Sequence, residues 1–211
     1  MKPPSHPLVI FDLDGTLADS FPWFLRVVNT VAREYRFNEI AEADIGPLRR
    51  TGSREILTKL NVPPWKVPLI ARRMRALKRA HLDDIGLFPG VDEMLRGLTV
   101  RGIRLALVSS DSEANARRQL GPENVALFSY FECGTSLFGK AAKFKRVLKR
   151  AGLAPNHAMA IGDEVRDAEA ARLAGVAFGA VTWGYADPDA LRARAPDVVF
   201  AAMDQIVKEL T

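Results

Sequence analysis

Short apolar runs recur along this chain and constrain its fold more than any other feature. They are LVIF before Asp12, IRLALV before Ser109, AMAI before Gly162, VAFGAV before Thr182, and DVVF near the C-terminus. Runs this short do not make free-standing helices, and their lack of polar alternation marks strands covered on both faces. Between them the spacing predicts helices over 91–100, 113–120, 141–151 and 166–174, several closed by a glycine C-cap. Strand and helix in alternation predict a doubly wound, parallel, Rossmann-like α/β sheet.

The alternation breaks once. From about Ser20 to Phe88 no stretch reads as a strand; PWFLRVVNTVAREYRF, SREILTKL and KVPLIARRMRALKRAHL carry helical pattern, with EADIGP and NVPP between them. Some ~70 residues exceed an ordinary βαβ crossover. The expectation is an α/β core domain from residues 1–19 and 89–211 and an inserted helical cap domain from residues 20–88. The chain is expected to return to the core at the loop around Gly86 to Gly90.

Composition narrows the function classes. A chain of 211 residues, 48% hydrophobic and 26% charged, buries one substantial core. No apolar run approaches the roughly 18 to 20 residues of a membrane helix, and prolines interrupt the N-terminal MKPPSHPLVI where a signal peptide would be continuously apolar. A cytoplasmic protein is expected. The lone Cys133 has no partner for an internal disulfide and reads as a packed side chain. The net charge of +5 raises the question of nucleic acid, but no nucleic-acid motif accompanies it. In the basic stretch from Arg72, Ile70, Met74, Leu77 and His81 recur at helical spacing, which assigns the arginines and lysines to a solvated face.

In a doubly wound sheet, ligands bind beyond the carboxyl ends of the strands, so the residues after each apolar run should converge. After the first come Asp12, Asp14, Gly15 and Thr16; after the second, Ser109 and Ser110; after AMAI, Gly162, Asp163, Glu164 and Asp167. Lys140 or Lys143 opens the preceding helix. Each group alone has a plain structural reading as turn, cap or surface charge. Capping, however, does not require all of them at the same end of successive strands. Asp12, Asp14 and Asp163 in one cleft would repel, each pair at about 4 Å costing on the order of 4 kcal/mol at an effective dielectric of 20. A cation is therefore expected, and carboxylates without His or Cys suit Mg²⁺. The lysine, a serine hydroxyl and the amides of the Gly15 turn would then bind phosphoryl oxygens.

These residues resemble the haloacid dehalogenase superfamily, in the phosphatase branch that includes phosphoglycolate phosphatase and β-phosphoglucomutase. FDLDGTLADS is similar to its first motif, LALVSS to its second, Lys140 to its third and GDEVRD to its fourth. The resemblance implies that Asp12 is the nucleophile, forming an aspartyl-phosphate, and that Asp14 protonates the leaving oxygen and later deprotonates water. It also implies Mg²⁺ held by Asp12, the Asp14 carbonyl and Asp163, with Asp167 behind them. Ser109 and Lys140 would serve catalysis, and Gly15, Thr16 and Ser110 would bind the phosphoryl group. The junction SLFGK favours Lys140 over Lys143, although GKAAK lacks the family's frequent KPxP. Asp111 stands where asparagine is frequent, and Glu164 where a small hydroxyl residue is usual.

Substrate choice in such proteins comes from the cap. Thr51, Gly52, Ser53 and Arg54 form the candidate contact loop, or else merely link two helices with Ser53 as an N-cap. Trp183 reads as packing rather than substrate contact. The expected activity is Mg²⁺-dependent hydrolysis of a small phosphorylated metabolite, with no membrane partner; a phosphomutase and a non-catalytic regulatory protein on the same fold are the alternatives.

Overall fold

A computed structural model describes residues 6–134 and 139–210. Strands β1 (Leu8–Phe11), β2 (Arg104–Val108), β3 (Phe128–Glu132), β4 (Ala158–Gly162), β5 (Ala177–Val181) and β6 (Val198–Phe200) form one sheet in the order β3-β2-β1-β4-β5-β6. Every pairing is parallel. From β1 the chain winds outward through β2 and β3, then crosses back to β4 on the other side. The order therefore reverses at the β1–β4 junction, where such sheets open a crevice. There Phe11 pairs with Ile161, so Asp12 and Asp163 leave adjacent strands at nearly the same height.

The period of two along each strand divides the core. Val9, Phe11, Leu105, Leu107, Met159 and Ile161 face one side, covered by α5 (Val91–Val100) and the last helix (Met203–Leu210) through Leu95, Leu98, Ile206 and Leu210. Leu8, Ile10, Ala106, Val108, Ala158 and Ala160 face the other, covered by α7 (Lys140–Ala151) and α8 (Val165–Ala174) through Phe144, Val147 and Ala171. Glycines close both of these helices in the left-handed conformation, Gly152 at φ 66° and Gly175 at φ 70°.

Two elements differ from expectation. Strand β3, with sequence FSYFE, was not anticipated, because its broken apolar pattern gives no continuous run; it forms an edge and is only partly buried. The helix expected over 113–120 continues as α6 (Glu113–Leu127), across a kink where Gly121 takes φ 75° and ψ 160°.

Helices α1 (Phe21–Tyr35), α2 (Glu42–Arg49), α3 (Ser53–Lys59) and α4 (Val67–Ala80) form a helical insertion between β1 and α5, for which the label cap is kept, and residues 20–86 contain no strand. The two ends of the insertion are tied together: Phe88 N donates to Leu17 O at 2.9 Å, and Asp19 N to Gly86 O at 2.9 Å. Leu48, Leu60 and Val62 make a small apolar cluster within the cap, while Trp23, Met74 and Leu77 pack on the main core. His81 departs from its expected place on the apolar face of α4: it is exposed and meets Asp84 at 3.2 Å. Lys78, assigned by periodicity to solvent, is 3% exposed. One residue turns a helix by about 100°, so Lys78 follows Met74 on the face that meets the sheet.

Candidate active site

Asp12, Asp163 and Asp167 converge at the β1–β4 junction. One carboxylate oxygen from each lies within 4.8 Å of the others, and all three side chains are buried. Backbone geometry places Asp163. Gly15 turns the chain at φ 81°, and a Cβ there would come within 2.1 Å of Asp163 Oδ2; a Cβ on Gly184 would lie 2.2 Å from Asp163 Cβ. Both positions thus require glycine, because each leaves room for the carboxylate. Thr16 Oγ1 donates to Asp163 Oδ1 at 2.7 Å and Tyr185 N to Oδ2 at 2.8 Å. Asp167 sits on the first turn of α8, where its Oδ2 accepts from Glu164 N at 3.1 Å in a reciprocal capping box.

Lys140 is the cation of this cluster. Its Nζ lies 2.8 Å from Asp12 Oδ2 and 2.6 Å from Asp167 Oδ1. Burial opposes its charge, but Asp12 and Asp167 together hold the ammonium above its ordinary value. Lys143, one helical turn along, instead donates to the carbonyls of Ser109 and Gly134, both at 2.6 Å, and burial lowers it to about 8. The loop residues 136–138 of SLFGK lie outside the described residues, as do the prolines at positions 3 and 4.

One lysine does not balance three buried carboxylates, and Arg166, which also acts on Asp12, is itself paired with Glu164. Burial pushes Asp12 up to about 6, with Lys140 opposing and Asp167 adding to the rise. Burial, then Glu164 and Asp12, push Asp163 well above the usual carboxylate range. An all-oxygen acidic cluster left this short of positive charge fits a hard divalent cation such as Mg²⁺.

The other expected residues surround this cluster. Asp14, beyond Asp12, is partly exposed and meets Lys78 from the cap, with Nζ at 2.5 Å from Asp14 Oδ1 and 2.9 Å from Asp111 Oδ2. Asp111 also accepts from Asn115 Nδ2 at 2.8 Å, which ties the loop after β2 to α6. Ser109 is buried and its Oγ accepts from Asp111 N at 3.0 Å; Ser110, next to it, is half-buried. The Thr16 hydroxyl is engaged by Asp163, and its carbonyl accepts from Trp183 Nε1 at 3.1 Å, so Trp183 packs the turn from behind.

Within the candidate contact loop, Thr51 bonds back to Leu48 O at 2.9 Å, and Gly52 precedes α3. Ser53 Oγ reaches Glu164 Oε2 across to the core at 3.3 Å. Ser53, Arg54, Lys140, Arg166 and Arg194 line a cleft of about 300 Å³. Arg166 pairs with Glu164, so the residue that departs from the family pattern also contacts the cap loop. The half-buried Cys133 packs against the core, and burial pushes its thiol up to about 12.

Sequence reasoning missed Lys78, Arg49, Arg166 and Tyr185. Lys78 was read as surface charge, and the other three were left unassigned.

Comparison with known proteins bears on the family and the fold. Residues 9–181 match the haloacid dehalogenase-like hydrolases. A phosphoglycolate phosphatase from Synechococcus elongatus is 34% identical over 204 residues, covering 96% of each chain. A phosphoglycolate phosphatase from Agrobacterium fabrum is 29% identical over 216 residues, 95% of this chain and 91% of the relative. Among solved structures, a haloacid dehalogenase-like family hydrolase from Streptococcus pneumoniae superposes with a TM-score of 0.81 at 21% identity, covering 98% of this chain and 99% of the other.

Proposed function

The chain belongs to the haloacid dehalogenase-like hydrolase family as a phosphatase, and we propose that it uses Mg²⁺ to hydrolyse a small phosphorylated metabolite, 2-phosphoglycolate foremost, through an aspartyl-phosphate. The observation that carries this reading is the buried Asp12, Asp163 and Asp167 cluster with Lys140 at its edge. The similarity to the Synechococcus phosphoglycolate phosphatase supports the choice of substrate.

In this reading Asp12 is the nucleophile. Lys140 holds Asp12 Oδ2 and leaves the other oxygen to attack phosphorus as the bond to the leaving oxygen breaks. Asp14, beside it, gives its proton to the departing alkoxide and takes one from the water that then attacks the aspartyl-phosphate. Lys78 fixes Asp14 Oδ1, which leaves Oδ2 for proton transfer. Asp12, the Asp14 carbonyl, Asp163 and Asp167 would hold Mg²⁺, which supplies charge neutralisation for the incoming phosphate. Ser109, Ser110, and the turn at Gly15 and Thr16 would line the phosphoryl site. The helical insertion, residues 20–88, would close as a cap over the core formed by residues 1–19 and 89–211. Thr51, Gly52, Ser53 and Arg54 would then face the leaving group.

The deciding experiment is phosphate release from a panel of phosphorylated metabolites with Mg²⁺. Release from 2-phosphoglycolate that vanishes in Asp12→Asn supports the proposal. An isomerised sugar phosphate without free phosphate would mean a phosphomutase, and silence across the panel would remove the enzymatic reading.

A further inference from the structure

Thr16 holds one oxygen of Asp163, and a single peptide unit holds the other. The Gly184–Tyr185 peptide sends its N–H to Asp163 Oδ2 at 2.8 Å, and its carbonyl, on Gly184, accepts from Arg49 Nη2 at 3.0 Å. A trans peptide is planar, with its N–H and C=O pointing in opposite directions. A donor that fixes the carbonyl therefore fixes where the N–H aims. Arg49 adds a second bond, Nε to Tyr185 O at 2.8 Å, so the guanidinium fork spans two successive carbonyls. Its own carbonyl accepts from Asp187 N at 2.8 Å, and its guanidinium lies 5.1 Å over the Phe21 ring.

This clamp crosses between the two parts of the molecule. Arg49 ends α2 in the cap, whereas residues 184–187 follow β5 in the core. Gly184 sits against Asp163 with no space for a side chain, and glycine also permits the peptide on either side of it to rotate cheaply. Without Arg49, rotation of that peptide would turn a carbonyl toward Asp163 in place of an N–H. The neighbouring Arg50 has a different role: it reaches Asp187 Oδ2 at 3.2 Å from an exposed position and does not touch the 184–185 peptide.

We propose that Arg49 is a positioning residue for the metal site: its grip on the Gly184 carbonyl aims the Tyr185 N–H at Asp163, so docking of the cap and affinity for the divalent cation are coupled. The inference rests on the metal reading above. Coupling is reciprocal, so the cation must also tighten the cap.

The test is Mg²⁺ titration by calorimetry on the whole, substrate-free protein, alongside hydrogen exchange of α2. Arg49→Ala is expected to weaken Mg²⁺ binding about 5- to 10-fold, Arg49→Lys by less, and Arg50→Ala by under about 2-fold. Saturating Mg²⁺ is expected to slow exchange in α2 of the wild type and to lose that effect in Arg49→Ala. Thermal melts identify any variant that fails to fold, in which case Arg49→Lys carries the test. Unchanged Mg²⁺ affinity in a folded Arg49 variant overturns the proposal, as does an equal loss in Arg50→Ala, which would mean that any loosening of the cap suffices. A wild type that binds no Mg²⁺ overturns the metal reading and this inference with it.

Discussion

Lys78 Nζ lies 2.5 Å from Asp14 Oδ1 although 64 residues separate them, and the lysine reaches down from the cap while the aspartate sits on the core. Within the core, Lys140 of α7 lies 2.8 Å from Asp12 Oδ2. Each of the two candidate catalytic carboxylates thus has one oxygen pinned by a buried lysine. Lys78→Met should lower kcat/KM by about 10²-fold, the scale of a positioned proton-transfer group. Arg79→Ala, on the exposed side of the same helix, should change it little. Steady-state kinetics on the best substrate of the panel decides between them.

Asp12→Asn removes the nucleophile while keeping its volume. Phosphate release should fall by about 10⁴-fold or more, whereas Asp111→Asn, which leaves Lys78 its contact with Asp14, should retain measurable turnover.

Stability should depend on pH in a direction set by the buried acids. The folded protein raises Asp12 from 3.8 to about 6 and Asp163 well above 3.8, so in that interval it binds more protons than the unfolded chain. Without metal, this contribution is present in full below about 3.8 and is lost as pH rises through about 6, by on the order of 3 kcal/mol for Asp12. Asp187 and Asp204 are shifted downward, so their contribution is lost only on the acid side of 3.8, while His6, lowered by burial, opposes the trend only below 6.5. Scanning calorimetry from pH 4.5 to 8 with a chelator should show a falling Tm. Added Mg²⁺ should restore Tm most at the alkaline end, where the carboxylates are ionised.

Two glycines should respond in opposite ways to alanine. Gly184→Ala places a Cβ 2.2 Å from Asp163 Cβ and 2.4 Å from Asp163 Oδ2, so the carboxylate must move. It should weaken Mg²⁺ binding and destabilise the fold by about 1–3 kcal/mol. Gly86, exposed in the loop that returns to the core, has only its chain neighbours near a new Cβ and needs no positive φ, so alanine there should gain about 0.4–1 kcal/mol. Urea denaturation of the two variants measures both signs.

Much of the site was legible because its residues are local in sequence. Asp12, Asp163 and Asp167 follow apolar runs, and parallel strands present their carboxyl ends on one edge; once LVIF and AMAI are strands, register places Asp12 near Asp163. The four helices expected in the core also read directly from period and glycine caps. Strand β3 did not, because FSYFE lies at an edge and its burial pattern is neither continuous nor alternating.

Contacts between cap and core were not legible. Lys78 carries the same charge as Arg79 beside it, and only the docking of α4 decides which of them is buried. Thr16 was expected to contact the phosphoryl group, yet its hydroxyl donates to Asp163. The bond from Arg49 to Gly184 spans 135 residues and uses a backbone carbonyl, which no side-chain pattern announces. Sequence by itself determined the alternating α/β core, the helical insertion and the acidic strand ends, since these follow from side-chain period and short-range backbone chemistry. Tertiary structure alone decided which cations meet those acids, because a charge on a helix acquires a partner only when that helix packs against a particular surface.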